Sequence, residues 1–201
     1  MNRIKLFSVT WSTDTAGVSP HGNMRTEIFF KGCNKALVGD PCVGCFNQAL
    51  WDDYAEKTYS PEEIANQIEK YAPNKYVTIG GGEPTDQMEG LIELTELLKQ
   101  KGFHIMVYTW KDLQAMLLDH EEGPKFYRLL EHIDMLVDGI FDPSERMYKI
   151  DQGDGFLSSI GSGNQTIWDV KHYRENKPEM IGYKMRDLVG LYLKSNNDLV
   201  Y

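Results

Sequence analysis

The segment Tyr76-Val-Thr-Ile-Gly-Gly-Gly-Glu-Pro-Thr85 joins a short β-strand pattern to a run of three glycines. Aromatic and β-branched residues favour a strand, and the glycines end it. Two further strand patterns follow along the chain, Phe103–Tyr108 and Met135–Val137. The three strand ends, at positions 79, 108 and 137, are 29 residues apart each time (108 − 79 and 137 − 108). A repeated interval of this length is typical of strand–helix–strand units.

The stretches beside these strands carry helix signals. A capping-box pattern begins at Ser60 and predicts a helix that runs to about Tyr71. Asp86 is predicted to cap a second helix, which ends at Gly102, and Pro124 is predicted to begin a third. The apolar face expected for the second helix consists of Met88, Leu91, Leu94, Thr95 and Leu98.

Strands joined by helices run parallel, so the pattern predicts an α/β fold, with Arg25–Phe30 as its first parallel strand. With 201 residues, the chain is short for a complete eight-unit barrel, for which about 250 residues are typical. We therefore predict a partial (βα) barrel with parallel strands, and a flavodoxin-like sheet is the competing arrangement. Both arrangements bind ligands at the carboxyl ends of the strands.

Composition narrows the function classes. Lys and Arg number 21 and Asp and Glu number 30, so the net charge is 21 − 30 = −9, which argues against a nucleic-acid partner. No apolar run approaches the roughly 20 residues that span a bilayer, so we expect no membrane partner. The two basic residues near the N-terminus precede no apolar stretch, so no secretory signal is expected, and we expect a cytoplasmic protein.

Glycine, cysteine and polar residues follow each predicted strand directly. Lys31-Gly32-Cys33 follows the first, and Gly80–Thr85 follows the second. Thr109-Trp110 follows the third, and Asp138-Gly139 follows the fourth. Because the carboxyl ends of parallel strands lie along one edge, we expect these residues to surround one site.

The three cysteines lie within thirteen positions, as Cys33, Cys42 and Cys45 in the spacing C-x8-C-x2-C. An odd number of clustered cysteines is a poor disulfide framework and favours a shared metal. Thiolates bind iron–sulfur clusters and zinc, and three of them would leave one cluster iron open. The alternatives are a structural zinc with a histidine as fourth ligand, and unligated thiols. The histidines available are His21, His104, His120, His132 and His172, none at an obvious ligand spacing.

The run Gly80-Gly81-Gly82-Glu83-Pro84 is the second chemical signal. Glycines allow a ligand to approach the backbone closely, Glu83 supplies a carboxylate suited to an ammonium group, and Pro84 stiffens the exit. The run has neither the dinucleotide-binding G-x-G-x-x-G spacing nor the G-K-[ST] of a P-loop. A tight strand-to-helix turn without a ligand is the alternative.

The cysteine loop and the Gly-Gly-Glu-Pro motif resemble those of the radical S-adenosylmethionine superfamily. Within it, residues 23–170 are most similar to the activating proteins of anaerobic ribonucleoside-triphosphate reductase. Four stretches carry that likeness: Phe29–Cys33, Cys42–Asn47 with Trp51 following, Val137–Phe141 and Gly161–Gln165. Those activators usually have three residues between the first two cysteines, whereas this chain has eight.

The resemblance implies a 4Fe–4S cluster held by Cys33, Cys42 and Cys45, with S-adenosylmethionine on its open iron. An electron from reduced flavodoxin or ferredoxin would cleave S-adenosylmethionine, and the 5′-deoxyadenosyl radical would take a hydrogen atom from a backbone glycine of anaerobic ribonucleotide reductase. The implied cofactor-binding residues are Gly81, Gly82, Glu83, Pro84, Thr109, Asp138 and Asn164. Gly81 to Glu83 would hold the methionine ammonium, Thr109 the adenosyl moiety, Asp138 the ammonium or ribose, and Asn164 cofactor or partner.

Simpler interpretations remain for several of these residues. Asp138 and Asn164 could lie in surface turns, and Thr109 could be a polar residue at a strand end. Arg25 is expected to be exposed, and Phe46 to stack near adenine or pack in the core. Residues 1–170 are expected to form the radical S-adenosylmethionine domain, and residues 171–201 a C-terminal extension packed on it.

Two other functions stay open. The long first cysteine gap favours a small-molecule enzyme of the same superfamily, similar to the carbon-rearranging enzymes of deazapurine synthesis. A structural metal-binding module without chemistry is the other alternative.

Overall fold

The computed structural model describes residues 2–13, 25–45, 47–150, 157–177 and 179–187, and its strands and helices form an α/β fold. Phe46 lies outside these described residues. The described strands are β1 (Ile4–Thr13), β2 (Arg25–Phe30), β3 (Thr58–Tyr59), β4 (Tyr76–Gly81), β5 (His104–Tyr108), β6 (Met135–Asp138), β7 (Arg146–Ile150), β8 (Leu157–Ser162), β9 (Thr166–Asp169) and β10 (Ile181–Lys184). The described helices are α1 (Asn34–Leu37), α2 (Pro61–Tyr71), α3 (Met88–Gln100), α4 (Leu113–Leu118), α5 (Gly123–Leu130) and α6 (Val170–Glu175). Three short 3₁₀ turns occupy Gln48–Leu50, Pro84–Gln87 and Pro143–Glu145.

Eight of the described strands form one sheet in the order β10-β9-β6-β5-β4-β2-β1-β3. The four central strands β2, β4, β5 and β6 are parallel and lie side by side in chain order. That order winds in one direction, as in a barrel, whereas a doubly wound sheet reverses at a switch point. The described part of the sheet does not close on itself. The predicted α/β fold with a partial arrangement of parallel strands is therefore confirmed.

Both edges of the sheet are antiparallel, which the sequence did not predict. β1 pairs antiparallel with β2 and with β3 at one edge. At the other edge β9 pairs antiparallel with both β6 and β10. The parallel strands are thus bounded on each side by strands that run in the opposite direction.

Helices α2, α3 and α5 cover one face of the sheet and form the main core with the outward residues of the parallel strands. The capping box that starts α2 is present, since Ser60 Oγ accepts from the Glu63 N–H at 3.1 Å and the Ser60 N–H donates to Glu63 Oε2 at 2.6 Å. The predicted apolar face of α3 is buried. Pro124 lies in the first turn of α5, as predicted.

The prediction that Asp86 caps α3 is wrong. A 3₁₀ turn, Pro84–Gln87, comes first, and Gln87 occupies the cap position. The Asp86 carboxylate instead accepts the Asn34 backbone N–H at 2.6 Å and pairs with Lys111 at 3.3 Å. Asp86 therefore connects the loops that follow β2, β4 and β5.

The expectation of an exposed Arg25 is also wrong, because its side chain is only 1% exposed. Arg25 Nε donates to Thr78 Oγ1 at 2.8 Å, and Nη2 donates to the Val77 carbonyl at 2.6 Å. The guanidinium also lies over the Tyr76 ring, 5.6 Å from its centre. These partners in the neighbouring strand compensate the cost of burying the charge.

A smaller apolar cluster lies on the opposite face of the sheet. Met106 and Val137 of the parallel strands pack there with Ile160, Ile167 and Met185. Ile160 belongs to β8, which pairs with β7 as a separate two-stranded sheet. The β7–β8 hairpin therefore packs against the face that the helices leave uncovered.

The described part of the C-terminal region contacts the sheet directly. Arg174 of α6 pairs with the buried Asp134 at 3.1 Å and donates to the Leu130 carbonyl at 3.1 Å. The division of the chain at residue 170 stays a prediction. Among the described residues, no helix combines the length and apolar character needed to cross a bilayer.

Candidate functional site

A cavity lies at the carboxyl ends of the parallel strands, with about 1010 Å³ of space if the open solvent at its mouth is included. Each loop that follows a parallel strand contributes to its wall. The residues contributed include all three cysteines, the run from Gly80 to Glu83, Thr109, Trp110, Gly139 and Phe141. Each of the four loops that the sequence predicted after a strand therefore contributes at least one residue to this space.

The cysteine loop is held in place by main-chain hydrogen bonds to a later segment. The Gly32 N–H donates to the Leu50 carbonyl at 2.8 Å, and the Cys33 N–H donates to the Trp51 carbonyl at 3.1 Å. Cys33 is buried and precedes α1, whereas Cys42 and Cys45 are half-buried. All three are free thiols that border the cavity.

Burial raises the pKa of the Cys33 and Cys42 thiols. Main-chain N–H groups oppose this shift, from Ala36 at Cys33 and from Phe141 at Cys42. Metal binding must therefore release protons from these thiols, because only a thiolate coordinates a metal.

Within the described ranges, no three His, Cys, Asp or Glu side chains are placed to bind a single metal ion. His21, one of the histidines considered as a zinc ligand, lies outside the described residues. Thiolates are ligands of both zinc and iron–sulfur clusters.

The glycine run packs directly against the backbone of the cysteine loop. Gly81 has a φ of 117°, a conformation that residues with a side chain rarely adopt. A Cβ on Gly82 would overlap the Gly32 carbonyl, within 2.7 Å of its carbon. The Gly82 N–H donates to the Phe30 carbonyl at 2.9 Å, and the Glu83 N–H donates to the Gly32 carbonyl at 2.8 Å. The glycines allow the two motifs to make contact through their main chains.

Glu83 is a buried carboxylate in the cavity wall, 1% exposed. Its Oε1 accepts from the Thr85 N–H at 3.0 Å and the Thr85 hydroxyl at 2.7 Å, and its Oε2 accepts from the Trp110 N–H at 3.0 Å. Burial raises its pKa, and no described side chain forms an ion pair with it. A carboxylate in this position can accept a cationic ligand, because each oxygen has further lone pairs. Pro84 begins the 3₁₀ turn behind it and does not line the cavity.

The other predicted cofactor-binding residues lie in different positions. Thr109 lines the cavity, and its Oγ1 accepts the Lys111 N–H at 3.1 Å. Asp138 is buried outside the lining, where its Oδ2 accepts the Leu113 N–H at the start of α4 at 2.7 Å. Asn164 also lies outside the lining, and its Nδ2 donates to the Ile140 carbonyl at 2.9 Å. Asp138 and Asn164 thus form hydrogen bonds to the main chain of neighbouring loops, and their roles in binding a cofactor stay predictions.

Several lining residues had no role in the sequence-based interpretation, among them Asn47, Tyr108 and Glu27. Asn47 donates from Nδ2 to the Gly81 carbonyl at 3.0 Å and so connects the cysteine loop with the glycine run. Gln165 lines the cavity and donates to the Gly139 carbonyl at 2.9 Å. Tyr108 and Glu27 line the inner part of the cavity. The sequence signal available for Asn47 and Gln165 was their position in the chain, because both lie inside stretches that carry the family resemblance.

Comparisons with known proteins identify the family to which the chain is similar. Residues 19–177 match the family described as the 4Fe-4S single cluster domain. A pyruvate formate-lyase-activating enzyme of Clostridium pasteurianum is 26% identical over 172 residues, which cover 80% of this chain and 66% of that protein. The corresponding enzyme of Listeria monocytogenes is 26% identical over 175 residues, with 85% and 64% covered.

A third relative is more similar over a shorter region. It is a candidate glycyl-radical enzyme activating enzyme of Methanocaldococcus jannaschii, 43% identical over 121 residues, which cover 58% of this chain and 40% of that protein. The chain spans slightly less than two thirds of the length of the pyruvate formate-lyase-activating enzymes that it matches, at 66% and 64%.

Proposed function

This chain belongs to the 4Fe-4S single cluster domain family, and from that premise we propose that it is a radical S-adenosylmethionine activase. It is an oxidoreductase that generates a glycyl radical on a partner protein. The single observation that carries the proposal is that the three cysteines and the Gly80–Glu83 run line the same cavity. The names of its relatives, which are activating enzymes for glycyl-radical proteins, support the same reaction class.

The cofactors are a 4Fe–4S cluster and S-adenosylmethionine, and the residues in the cavity fit both. Cys33, Cys42 and Cys45 supply the three thiolates, which leaves one iron for the second cofactor. The buried Glu83 carboxylate and the main chain of Gly81 and Gly82 hold its methionine ammonium. When bound, the cluster would pass one electron to S-adenosylmethionine, whose cleavage would supply methionine and a 5′-deoxyadenosyl radical able to take a hydrogen atom from a glycine of the partner. The largely apolar wall limits the access of water to this chemistry.

The partner that we propose is anaerobic ribonucleoside-triphosphate reductase, and the electron donor is reduced flavodoxin or ferredoxin. Two of the stretches that resemble the activators of this reductase meet at the cavity. Gly139 and Phe141 of the first stretch and Gly161 and Gln165 of the second line its wall. An oxygen-sensitive cluster suits a reducing cytoplasm, where we propose that the protein acts.

A second candidate partner is a pyruvate formate-lyase, because relatives that match at least 80% of this chain carry that name. The chemistry at the cavity would be the same for both partners. The two candidates differ only in which protein presents its glycine.

The test is anaerobic reconstitution with iron and sulfide, followed by reduction with dithionite in the presence of S-adenosylmethionine. We expect 5′-deoxyadenosine to form, and a glycyl radical signal to arise in electron paramagnetic resonance when the reductase is added. A signal with pyruvate formate-lyase alone would favour the second candidate. Zinc in place of iron and sulfide, with no cofactor cleavage, would contradict the proposed function.

A further inference from the structure

The eight residues between Cys33 and Cys42, Asn34–Pro41, are called the insert here. They begin with helix α1 and return through Gly39, whose φ is 85°. The insert carries one ion pair, in which Lys35 Nζ lies 2.5 Å from Asp40 Oδ2. Because the insert connects two of the three cysteines, its charges lie next to the place where the cluster is held.

The two members of this ion pair differ in their surroundings. The Lys35 side chain is 11% exposed, whereas the Asp40 side chain is 78% exposed. The Lys35 ammonium also lies 5.2 Å from the centre of the Trp110 ring, in the cavity wall. Water screens the charge of Asp40 more effectively than that of Lys35, so the ion pair leaves a net positive charge beside the Trp110 ring.

The interactions between the Lys35 charge and the cysteine thiols agree with this placement of the ammonium. The pKa of Lys35 is raised mainly by its hydrogen bond to Asp40, and the charges of Cys42 and Cys33 raise it further. In turn, Lys35 lowers the pKa of Cys42, although burial raises it more strongly. The geometry places the Lys35 ammonium over Trp110, and that ring lines the same cavity as Cys33 and Cys42.

We propose that Lys35 is a positioning residue whose ammonium, held over Trp110 and beside Cys33 and Cys42, favours the reduced state of the cluster. This inference rests on the proposed function, because it requires those cysteines to be ligands. Reduction adds one electron from the donor to the cluster, no bond breaks and no proton is transferred. A fixed positive charge nearby stabilises the added negative charge and raises the reduction potential. The long first cysteine gap thus has a function of its own.

The experiment is a redox titration of the reconstituted cluster without S-adenosylmethionine or partner, followed by electron paramagnetic resonance. Lys35→Gln removes the charge, and we expect the equilibrium constant for reduction to fall about threefold, which is about 28 mV at 59 mV per tenfold change. Lys35→Arg keeps the charge and the ring contact and should restore the potential. Asp40→Asn removes the opposing charge and should shift the potential upward. Lys101→Gln is the matched control, because Lys101 forms a similar 2.5 Å ion pair with Glu69 on the helical layer.

An electrostatic role predicts that Lys35→Gln and Asp40→Asn shift the reduction potential in opposite directions. A merely structural role does not predict this. Equal potentials in wild type and Lys35→Gln, or a downward shift in Asp40→Asn, would overturn the role of Lys35. If Lys35→Gln assembles no cluster, the direction in which Asp40→Asn shifts the reduction potential is the test of the role of Lys35. A wild-type protein that assembles no 4Fe–4S cluster would overturn the proposed function as well, which is a distinct result.

Discussion

The two loops that form the candidate site are built in opposite ways. The Gly80–Thr85 loop packs main chain against main chain, and Glu83 within it is 1% exposed. The cysteine loop contains Val38 and Val43, which are 79% and 75% exposed. The difference shows that the cysteine loop carries exposed side chains at some positions, whereas the Gly80–Thr85 loop is buried against the base of that loop. Substitutions in the Gly80–Thr85 loop should therefore affect folding more strongly than substitutions at the exposed positions of the cysteine loop.

The largest effect is expected from Cys33→Ser, which should abolish cluster assembly and leave the fold intact. Serine has nearly the same shape and is favoured at the start of a helix, which is where Cys33 lies. Iron and sulfide content after anaerobic reconstitution should fall to background, and 5′-deoxyadenosine should not form. Thermal unfolding of the metal-free variant should match that of the wild type within about 2 °C. A full complement of iron and sulfide in this variant would contradict the assignment of Cys33.

The next effect is expected from Gly82→Ala, which should destabilise the metal-free fold. The new Cβ would overlap the Gly32 carbonyl, so the main chain of one loop must move. We expect a loss of about 3 kcal/mol or more in the free energy of unfolding, measured with urea. Gly80→Ala is the matched control, because its Cβ would meet only Tyr108 Cβ at 3.9 Å, and a change within about 0.5 kcal/mol is expected. Equal stabilities of the two variants would show that the loops are not packed as described.

A smaller effect, dependent on pH, is expected from Glu83→Gln. Because burial raises the pKa of Glu83, the folded chain holds this proton more tightly than the unfolded chain does. The contribution of Glu83 to stability is therefore present at low pH and is lost as the pH rises past its usual value of about 4.3 and through the raised pKa. Urea unfolding of the metal-free protein between about pH 5 and pH 8 should show a weaker decline in stability for the variant. Glu62→Gln, an exposed control in α2, should keep the wild-type slope.

The smallest effect is expected from Asn47→Ala, which removes the side-chain hydrogen bond between the two loops. The Asn47 amide donates to the Gly81 carbonyl at 3.0 Å, and the loss of such a bond costs about 1 kcal/mol. We expect this loss in stability together with weaker binding of S-adenosylmethionine by the reconstituted protein. An Asn47→Ala protein that binds the cofactor as the wild type does would limit the role of Asn47 to folding.

The parallel strands were predictable because their information is local. The 29-residue interval relates β4, β5 and β6, and β2 was anticipated from its own local strand pattern. The antiparallel edges were not, because β1 and β9 lie outside the repeated strand–helix–strand interval and carry no periodic signal of their pairing with β2 and β6. The misassigned cap at Asp86 has a local cause, since the 3₁₀ turn after the glycines delays the start of α3.

The site was predictable where the residue type itself indicates chemistry. Clustered cysteines and a glycine run after a strand both indicate a ligand site, and both line the cavity. The burial of Arg25 and Asp138 was harder to predict, because a charged residue next to a strand is expected to be exposed unless its partners are known. Both are buried, and main-chain groups from other elements satisfy their hydrogen bonds. Lys35 could not be assigned because its effect depends on how the insert folds over Trp110.

Strand β9 limits how this architecture can grow. A new βα unit added beside β6 would need the hydrogen-bonding edge of β6, and β9 already occupies that edge in the opposite direction. The outer edge of β9 is in turn occupied by β10. Duplication of units therefore cannot extend the parallel run past β6 unless β9 is first displaced. A chain designed to complete the barrel would have to replace the β9–β10 pair, because extra repeats appended after it could not join the parallel strands.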